Sequence, residues 1–365
     1  MKKKITYSQV GDNYDTKDPI KKLFQEAALA TGKNLKAHGF EEVTDTRGES
    51  AYIWRQGNIY MAAVVEGLGT KNLVADEMRK ITGKTYYEII GHDTIAAIIN
   101  DLISVGATPL DVHAYWAVGD NSFLTDFKRM TDLVRGWKSA CDLSGVSWGG
   151  GETPTYKGII NPQTIDLGGS AVGIIKNKRN LITDKKLKLG DRIILIKSTG
   201  INVNGLSLAR AVASKLPKGY ATKLPSGKMY GEVLLTKSNI YAKLIADLQK
   251  AGVDIHYISN ITGHGIRKIM RARPAFTYVL EKLFDPQEIF EFIKIHANLD
   301  NQEMYGTYNM GQDYAIFVSP KDVLRCLEII AKNKFEAINA GYVEKGQKQV
   351  IIERLVFKGE TLDLR

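Results

Sequence analysis

A segment that combines a carboxylate, two glycines and a lysine has the composition of a phosphate- or cation-binding turn. Residues 66–71 read Glu-Gly-Leu-Gly-Thr-Lys and follow an apolar run at 58–65 that is typical of a buried strand. Glycines at a strand end let backbone N–H groups approach an anion, and Lys71 adds a positive charge. The spacing is not that of a P-loop. A tight turn is the alternative, with Glu66 as either a metal ligand or an exposed carboxylate.

A predicted helix carries a second group of polar residues. Within residues 91–102, Asp93 and Asn100 are seven positions apart and therefore lie within about 20° of each other around the helix axis. Asp101 lies beside that face in an otherwise apolar segment, and a buried carboxylate must be paired, hydrogen-bonded or bound to a cation. Mg²⁺ is a natural partner for it. Asp93 is alternatively the N-cap of the helix.

Two further loops could hold a ligand. Three glycines at 149–151 precede Glu152, so the main chain can pass close to a ligand and present this carboxylate to it, with a flexible linker as the alternative. Residues 198–205 read Ser-Thr-Gly-Ile-Asn-Val-Asn-Gly and form a possible phosphate cradle before a helix. Asn204 is alternatively the N-cap of that helix. The segment at 260–265 contains His264, a candidate acid or base for which a structural hydrogen bond is the favoured interpretation.

The elements that must position these groups alternate irregularly along the chain, which favours an α+β fold over a doubly wound sheet. A polar, lysine-rich linker at 176–188 indicates two domains, residues 1–176 and 177–365. A glycine-dense loop is predicted at 148–158. Periodicity predicts strands at 58–65, 110–118, 167–175, 191–197, 276–283, 314–318, 337–343 and 350–356, and helices at 20–38, 93–105, 122–143, 205–216, 235–251, 286–297 and 322–332.

Composition restricts the class of protein. The chain has 365 residues, of which 44% are hydrophobic and 25% charged, so a large core is available and disorder is excluded as the dominant state. No apolar run reaches the roughly 18 residues of a membrane span, and no apolar stretch follows the basic residues at the start, so we expect a cytoplasmic protein. Cys141 and Cys326 lack metal-ligand spacing and are interpreted as reduced, buried residues.

The formal net charge of +10 at pH 7 has two interpretations. A lysine-rich soluble surface is favoured over nucleic-acid binding, because the one dense basic segment, at 267–273, has no nucleic-acid-binding fingerprint. A positive field would also attract phosphorylated small molecules.

The motifs together resemble one family, the phosphoribosylformylglycinamidine cyclo-ligases (aminoimidazole ribonucleotide synthetases). Matching motifs occur in the family's order over nearly the whole chain, at residues 66–71, 91–110, 150–153, 166–173, 198–208, 261–265 and 303–311. The resemblance implies two α+β domains, the second α/β sandwich-like, and a homodimer whose N-terminal sheets pair into a β-barrel. It implies ATP-dependent ring closure of formylglycinamidine ribonucleotide to aminoimidazole ribonucleotide in purine biosynthesis, with no nucleic-acid or membrane partner.

The resemblance also implies roles for individual residues. ATP lies near the N-terminal domain interface, and the ATP-binding residues are Gly67, Gly69, Thr70, Lys71, Gly150, Gly151 and Thr153. The Mg²⁺ ligands are Glu66, Asp101 and Glu152. The substrate-binding residues are Ser198, Thr199, Gly200 and Asn204. The catalytic residues are Lys71, Asp93, Asn100, Asn202 and Asn204.

Several positions depart from the family pattern. Glu66 replaces an aspartate, Asn202 a histidine, Val203 a serine and His264 a glycine. The glycine-rich segment that helps to cover ATP has no counterpart at 45–54, which holds one glycine. Two alternatives therefore stay open. One is an ATP-dependent enzyme of the superfamily acting on another acceptor, as the thiamine-phosphate kinases, selenophosphate synthetases and hydrogenase-maturation dehydratases do, and the other is a nucleotide-binding paralogue without turnover.

Overall fold

The computed structural model describes residues 4–5 and 14–362. Over this part of the chain the protein forms two α+β domains, each built on one open sheet, as the sequence predicts at that level. No helix in it has both the length and the apolar character needed to cross a bilayer.

The first sheet has the strand order β1-β2-β3-β6-β4-β5, and all neighbours are antiparallel except β4 and β5. Its strands are β1 (Glu41–Glu42), β2 (Tyr52–Gln56), β3 (Ile59–Gly67), β4 (Thr108–Val118), β5 (Ser147–Glu152) and β6 (Ile165–Ile175). The helices of this half are α1 (Tyr14–Thr31), α2 (Lys33–Lys36), α3 (Lys71–Thr82), α4 (Tyr87–Ile103) and α5 (Phe127–Ser144).

The second sheet has the strand order β13-β12-β9-β11-β7-β10-β8. Its strands are β7 (Arg192–Lys197), β8 (Ile255–Asn260), β9 (Phe276–Leu280), β10 (Gln312–Val318), β11 (Ala337–Lys345), β12 (Gln349–Ile352) and β13 (Leu355–Lys358). The helices of this half are α6 (Leu206–Ala213), α7 (Tyr230–Leu234), α8 (Ala242–Lys250), α9 (Glu288–Ala297), α10 (Asn301–Thr307) and α11 (Val323–Lys332).

The helix α4 lies at the centre of the first domain, between the sheet and α5. Almost all of its side chains are buried, so it lacks a solvent-facing polar stripe. Close packing against α5 requires a glycine, because a Cβ atom on Gly136 would lie 1.9 Å from the carbonyl oxygen of Glu88. The polar residues of α4 are therefore enclosed and must find partners inside the protein.

The other face of the first sheet is open to solvent and partly apolar. Along β3, Tyr60, Ala62 and Val64 are buried, whereas the alternate residues Ile59 and Val65 are exposed. The two-residue period places the exposed residues together on the face away from α4. Such a face is available for contact with another molecule.

Several predicted elements differ from the observed ones. The predicted loop at 148–158 contains β5, whose residues are all exposed and therefore give no hydrophobic signal. The predicted strand at 350–356 is two strands joined by a turn, and the predicted helix at 235–251 begins only at Ala242. The strands β2 and β8 and the helices α3, α7 and α10 were not predicted.

Candidate active site

One row of paired residues crosses four strands at one end of the first sheet. In the strand register Glu66 lies opposite Gly169, Gly169 opposite Ala114, and Ala114 opposite Gly151. A cavity of about 640 Å³ lies over this end of the sheet, and its lining includes the glycines Gly67, Gly151, Gly168 and Gly169. The lining contains four predicted site residues, Glu66, Gly67, Gly151 and Glu152, and polar residues that were not predicted, among them His113, Tyr115 and Asp166.

Glu66, which lines the cavity, forms a pair of carboxyl groups with Asp101 of α4. The pKa of Glu66 is raised to about 7, first because the surrounding protein desolvates it and second because Asp101 is a like charge, hydrogen-bonded to it. Asp101 is buried and accepts a hydrogen bond of 2.7 Å from Nδ2 of Asn260. Two adjacent carboxyl groups share a proton, so that one is neutral, unless a cation between them stabilises both charges.

A lysine of the second domain faces this pair. Lys268 is buried and donates to Oγ1 of Thr262 at 2.9 Å. Its pKa is lowered to about 8, first by burial and then by Arg271, while Asp101 and Glu66 act in the opposite direction. The two carboxyl groups therefore lie where the two domains meet, under the influence of a cation from the second domain.

The predicted Mg²⁺ ligands do not form a set of three. Within residues 4–5 and 14–362, no three His, Cys, Asp or Glu side chains converge closely enough to hold a metal ion. Glu66 and Asp101 lie together, whereas Glu152 lies on the edge strand β5, three strand spacings away across the sheet, or about 14 Å. A pair of carboxylates is nevertheless a suitable Mg²⁺ donor set, since this ion keeps several waters and takes further ligands from substrate phosphates.

Lys71 forms a fully buried ion pair with Asp93. Its Nζ lies 2.5 Å from Oδ2 of Asp93 and 2.8 Å from the carbonyl oxygen of Thr236. The other oxygen of Asp93 accepts from the backbone N–H of Ser238 at 2.9 Å. Both side chains are thus committed to a segment of the second domain, and the ammonium is not at the cavity.

The N-cap interpretation of Asp93 is wrong, because α4 begins six residues earlier at Tyr87. Asn100 also contacts the second domain: it donates to the carbonyl oxygen of Asn239 at 2.8 Å and accepts from the N–H of Tyr241 at 3.0 Å. The polar face of α4 therefore binds the chain at 236–241 and connects the two domains.

The loop after β7 is held by the predicted motif at 308–311. Ser198 Oγ lies 3.2 Å from Oδ1 of Asn309, and Nδ2 of Asn309 donates to the carbonyl oxygen of Gly200 at 2.9 Å. The Tyr308 hydroxyl donates to the carbonyl oxygen of Gly205 at 3.0 Å. Gly205 has φ +76°, and an added Cβ atom would lie 2.1 Å from the Tyr308 ring. This glycine is required by both its conformation and its neighbour.

The remaining predicted residues lie around these features. Thr199 Oγ1 donates to the carbonyl oxygen of Lys237 at 2.6 Å, and the N-cap of α6 is Gly205 and not Asn204. Gly69 lies close to the backbone of Val203, so the first glycine turn meets the β7–α6 loop. Thr70 is the N-cap of α3, and its buried Oγ1 has no hydrogen-bond partner. Gly150 belongs to β5, and Thr153 follows that strand.

His264 is a poor acid or base at neutral pH. It is buried, and its pKa is lowered to about 2, first by burial and then by Lys268 and Arg267. The imidazole is therefore neutral. This environment supports the structural interpretation over the catalytic one.

Beyond the cavity lining, Asn260, Lys268 and Asp313 were not predicted as site residues either. The sequence marks Lys268 only as part of the basic segment at 267–273. Asp313 is a buried carboxylate that accepts from Nδ2 of Asn202 at 2.6 Å. A carboxylate directly before the predicted apolar strand at 314–318 was the signal available for Asp313, and the observed strand β10 includes it.

Comparisons with known proteins agree with this architecture. The protein-family model for the AIR synthase related protein, N-terminal domain, matches residues 48–175. The family model for the AIR synthase related protein, C-terminal domain, matches residues 188–353. A phosphoribosylformylglycinamidine cyclo-ligase of Methanothermobacter thermautotrophicus is 32% identical over 362 residues, which cover 99% of this chain and 100% of the relative. The chain belongs to the phosphoribosylformylglycinamidine cyclo-ligase family. The family prediction is confirmed.

Solved structures share the fold of this cyclo-ligase family member at low sequence identity. A HypE–HypF complex has a TM-score of 0.60 at 19% identity, covering 88% of this chain and 95% of that one. The hydrogenase maturation protein HypE in complex with ATP has a TM-score of 0.57 at 14% identity, covering 82% of each chain. These similarities concern the fold.

Proposed function

We propose that this protein is an ATP-dependent cyclo-ligase that converts formylglycinamidine ribonucleotide to aminoimidazole ribonucleotide, with release of ADP and phosphate. The observation that carries the proposal is the 32% identity over 99% of the chain to a phosphoribosylformylglycinamidine cyclo-ligase. In this reaction the formyl oxygen of the substrate attacks the terminal phosphorus of ATP and ADP leaves. A nitrogen of the same molecule then attacks the activated carbon, and phosphate departs with the oxygen.

ATP binding is assigned to the cavity on the first sheet and to the glycine turn beside it. Gly67, Gly150 and Gly151 let the triphosphate approach the main chain, with Thr153 following. Gly69 and Thr70 precede α3, and the unpartnered Oγ1 of Thr70 is available to a phosphate oxygen. The ATP-bound HypE structure of the same fold supports ATP as the ligand. Lys71 contributes through its ion pair, which fixes the start of α3.

Glu66 and Asp101 would hold Mg²⁺, and Glu152, three strands away, would not be a ligand of the same ion. The ion would neutralise charge on the transferred phosphoryl group. Lys268 would supply a second positive charge beside it. Asp93 and Asn100 contribute by holding the two domains in a fixed relative position through their hydrogen bonds to the segment at 236–241.

The ribonucleotide is assigned to the β7–α6 loop. Ser198, Thr199 and Gly200 provide its rigid part, and Asn202 and Asn204 lie at its outer end. Asn309 fixes the loop by two hydrogen bonds. Because this loop meets Gly69 across the domain boundary, a substrate bound there would lie close to the nucleotide.

We further propose a cytoplasmic homodimer in which the open faces of two first sheets pair to close a barrel. The support is the exposed apolar face that includes Ile59, Val65 and Tyr115; since Val65 and Tyr115 also line the cavity, the pairing would place the nucleotide site beside the dimer interface. The free cysteines, both buried, agree with a reducing compartment. We assign the domains to residues 1–176 and 177–365, since the first sheet ends at Ile175 and the second begins at Arg192.

A coupled ADP-release assay with the purified protein, formylglycinamidine ribonucleotide, ATP and Mg²⁺ tests the proposal. We expect ADP release that requires the ribonucleotide and matches the amount of aminoimidazole ribonucleotide formed. ATP binding without ADP release would instead indicate a nucleotide-binding paralogue. Release that depends on a different acceptor would indicate another reaction of the superfamily.

Asn202→His is expected to change kcat/KM by less than about tenfold, well below the 10²–10⁴ that a lost general acid or base costs. A neutral imidazole can donate to Asp313 with one nitrogen and accept with the other, as the amide does. Histidine also tolerates the positive φ of this position. The measurement is kcat/KM between pH 6 and pH 9. A rise of about a hundredfold or more, with a new pH dependence near neutrality, would contradict an orienting role.

A further inference from the structure

Asp313 is a buried carboxylate directly behind the β7–α6 loop. It is 3% exposed. Oδ1 accepts from Nδ2 of Asn202 at 2.6 Å, and Oδ2 accepts from the Tyr241 hydroxyl at 2.5 Å. Nδ2 of Asn239 lies at 3.5 Å from Oδ2. Every polar partner of this carboxylate is thus a donor, which is the environment of an ionised group.

The carboxylate determines which way the Asn202 amide faces. An ionised carboxylate only accepts, so Asn202 must present its NH₂ group to Asp313 and turn its oxygen elsewhere. That oxygen, Oδ1, is buried and has no hydrogen-bond partner. Buried acceptors without a partner are uncommon, and each needs an explanation. The residue itself is partly exposed and has φ +57°, at the outer end of the loop.

The charge behind Asn202 is negative near neutral pH. The pKa of Asp313 is raised to about 6, chiefly by burial and also by the negative charge of Asp93, while the hydroxyl of Tyr241 and the amides of Asn202 and Asn239 act in the opposite direction. Asp93 is neutralised by its ion pair with Lys71, so Asp313 contributes the net charge of the cluster. A phosphate at Oδ1 would find no donor there and a like charge behind it.

We infer that the Asn202 oxygen accepts a hydrogen bond from the cationic amidine of the ribonucleotide, and that Asp313 is a positioning residue that orients this amide and supplies the complementary charge. The inference rests on the proposed function, whose substrate carries an amidine, a strong base that is protonated at neutral pH. Amidinium N–H groups are donors, and a hydrogen bond with a charged partner is stronger than a neutral one. The amidine end is therefore placed at Asn202.

The test is a comparison of two ligands by isothermal titration calorimetry at pH 8 without ATP. One is formylglycinamidine ribonucleotide, and the other is the corresponding amide, in which a neutral carbonyl oxygen replaces the amidinium nitrogen. We expect the natural protein to bind the amidine about tenfold or more tightly than the amide. Asp313→Asn should remove this preference while the affinity for the amide stays within about threefold, because the neutral side chain lets Asn202 turn over.

Tyr241→Phe is the matched control. It removes another donor to the same carboxylate but keeps the negative charge and the contact with Asn202, so the preference for the amidine should remain. Asn202→Gly removes the amide, and glycine tolerates the positive φ of this position. It should also lose the preference for the amidine, so it keeps the test informative if Asp313→Asn does not fold. The preference of the natural protein should decline below about pH 6, where Asp313 takes up a proton.

Each result separates the inference from the proposed function. Equal weakening of both ligands by Asp313→Asn, or an unchanged preference, would overturn the inference even if ADP release is normal. A preference that Asp313→Asn and Asn202→Gly abolish would support it even if the natural protein releases no ADP. Failure of the natural protein to distinguish the two ligands would overturn it as well.

Discussion

Lys71→Ala is expected to lower the free energy of unfolding by about 3–5 kcal/mol, the usual cost of removing one partner from a buried ion pair. The Asp93 carboxylate would keep the hydrogen bond from Ser238 but would be a buried charge without a counter-ion. The carbonyl oxygen of Thr236 would lose its donor as well. Urea unfolding followed by circular dichroism measures the change.

A double variant distinguishes the ion pair from a direct role in ATP binding. Lys71→Met with Asp93→Asn removes both charges and should recover most of the lost stability, since replacing both partners is far less costly than removing one. The glycine-turn motif alone predicts a different result for Lys71→Ala, a raised apparent KM for ATP. Wild-type stability together with a KM increase confined to ATP would contradict the structural role of the pair.

The sequence predicted the elements that carry a clear hydrophobic period. In β6 the buried residues Ile165, Leu167, Ala171 and Ile175 alternate with more exposed ones, and the predicted strand differs from the observed one by two residues at its start. β5 was missed because its glycines have no side chain and its residues are exposed, so neither period nor propensity marks it. The parallel contact with β4 defines this strand, and that contact is long-range.

The polar residues of the candidate site could likewise be predicted only in part, because their partners are distant in sequence. A carboxylate inside the apolar helix α4 had to have a partner, and Asp101 does accept a hydrogen bond from Asn260. Apart from the Lys71 ion pair, the partners of Asp93 and Asn100 are backbone groups of the segment at 236–241, about 140 residues away, where nothing in the local sequence indicates the contact. Their assignment as catalytic residues stays a prediction.

Asp101→Asn is expected to lower kcat by about a hundredfold or more, the range found when one preorganised electrostatic group is removed from an active site. The amide oxygen can still accept from Asn260, so the contact to β8 is kept. The amide NH₂ can donate to Glu66, which relieves the repulsion between two carboxylates. The melting temperature should therefore stay unchanged or rise while the Mg²⁺ concentration needed for half-maximal ADP release increases.

Asp111→Asn is the control for a change of charge on the same sheet, because its carboxylate pairs with His113 and does not line the cavity. It should leave both kcat and the Mg²⁺ dependence near those of the natural protein. Glu66→Gln should reproduce the effect of Asp101→Asn, since either change leaves a single carboxylate where the pair would hold the ion. An Asp101→Asn variant with wild-type Mg²⁺ dependence and a lower melting temperature would instead make Asp101 a structural partner of Asn260, and the cation would then have to be held elsewhere on the cavity wall.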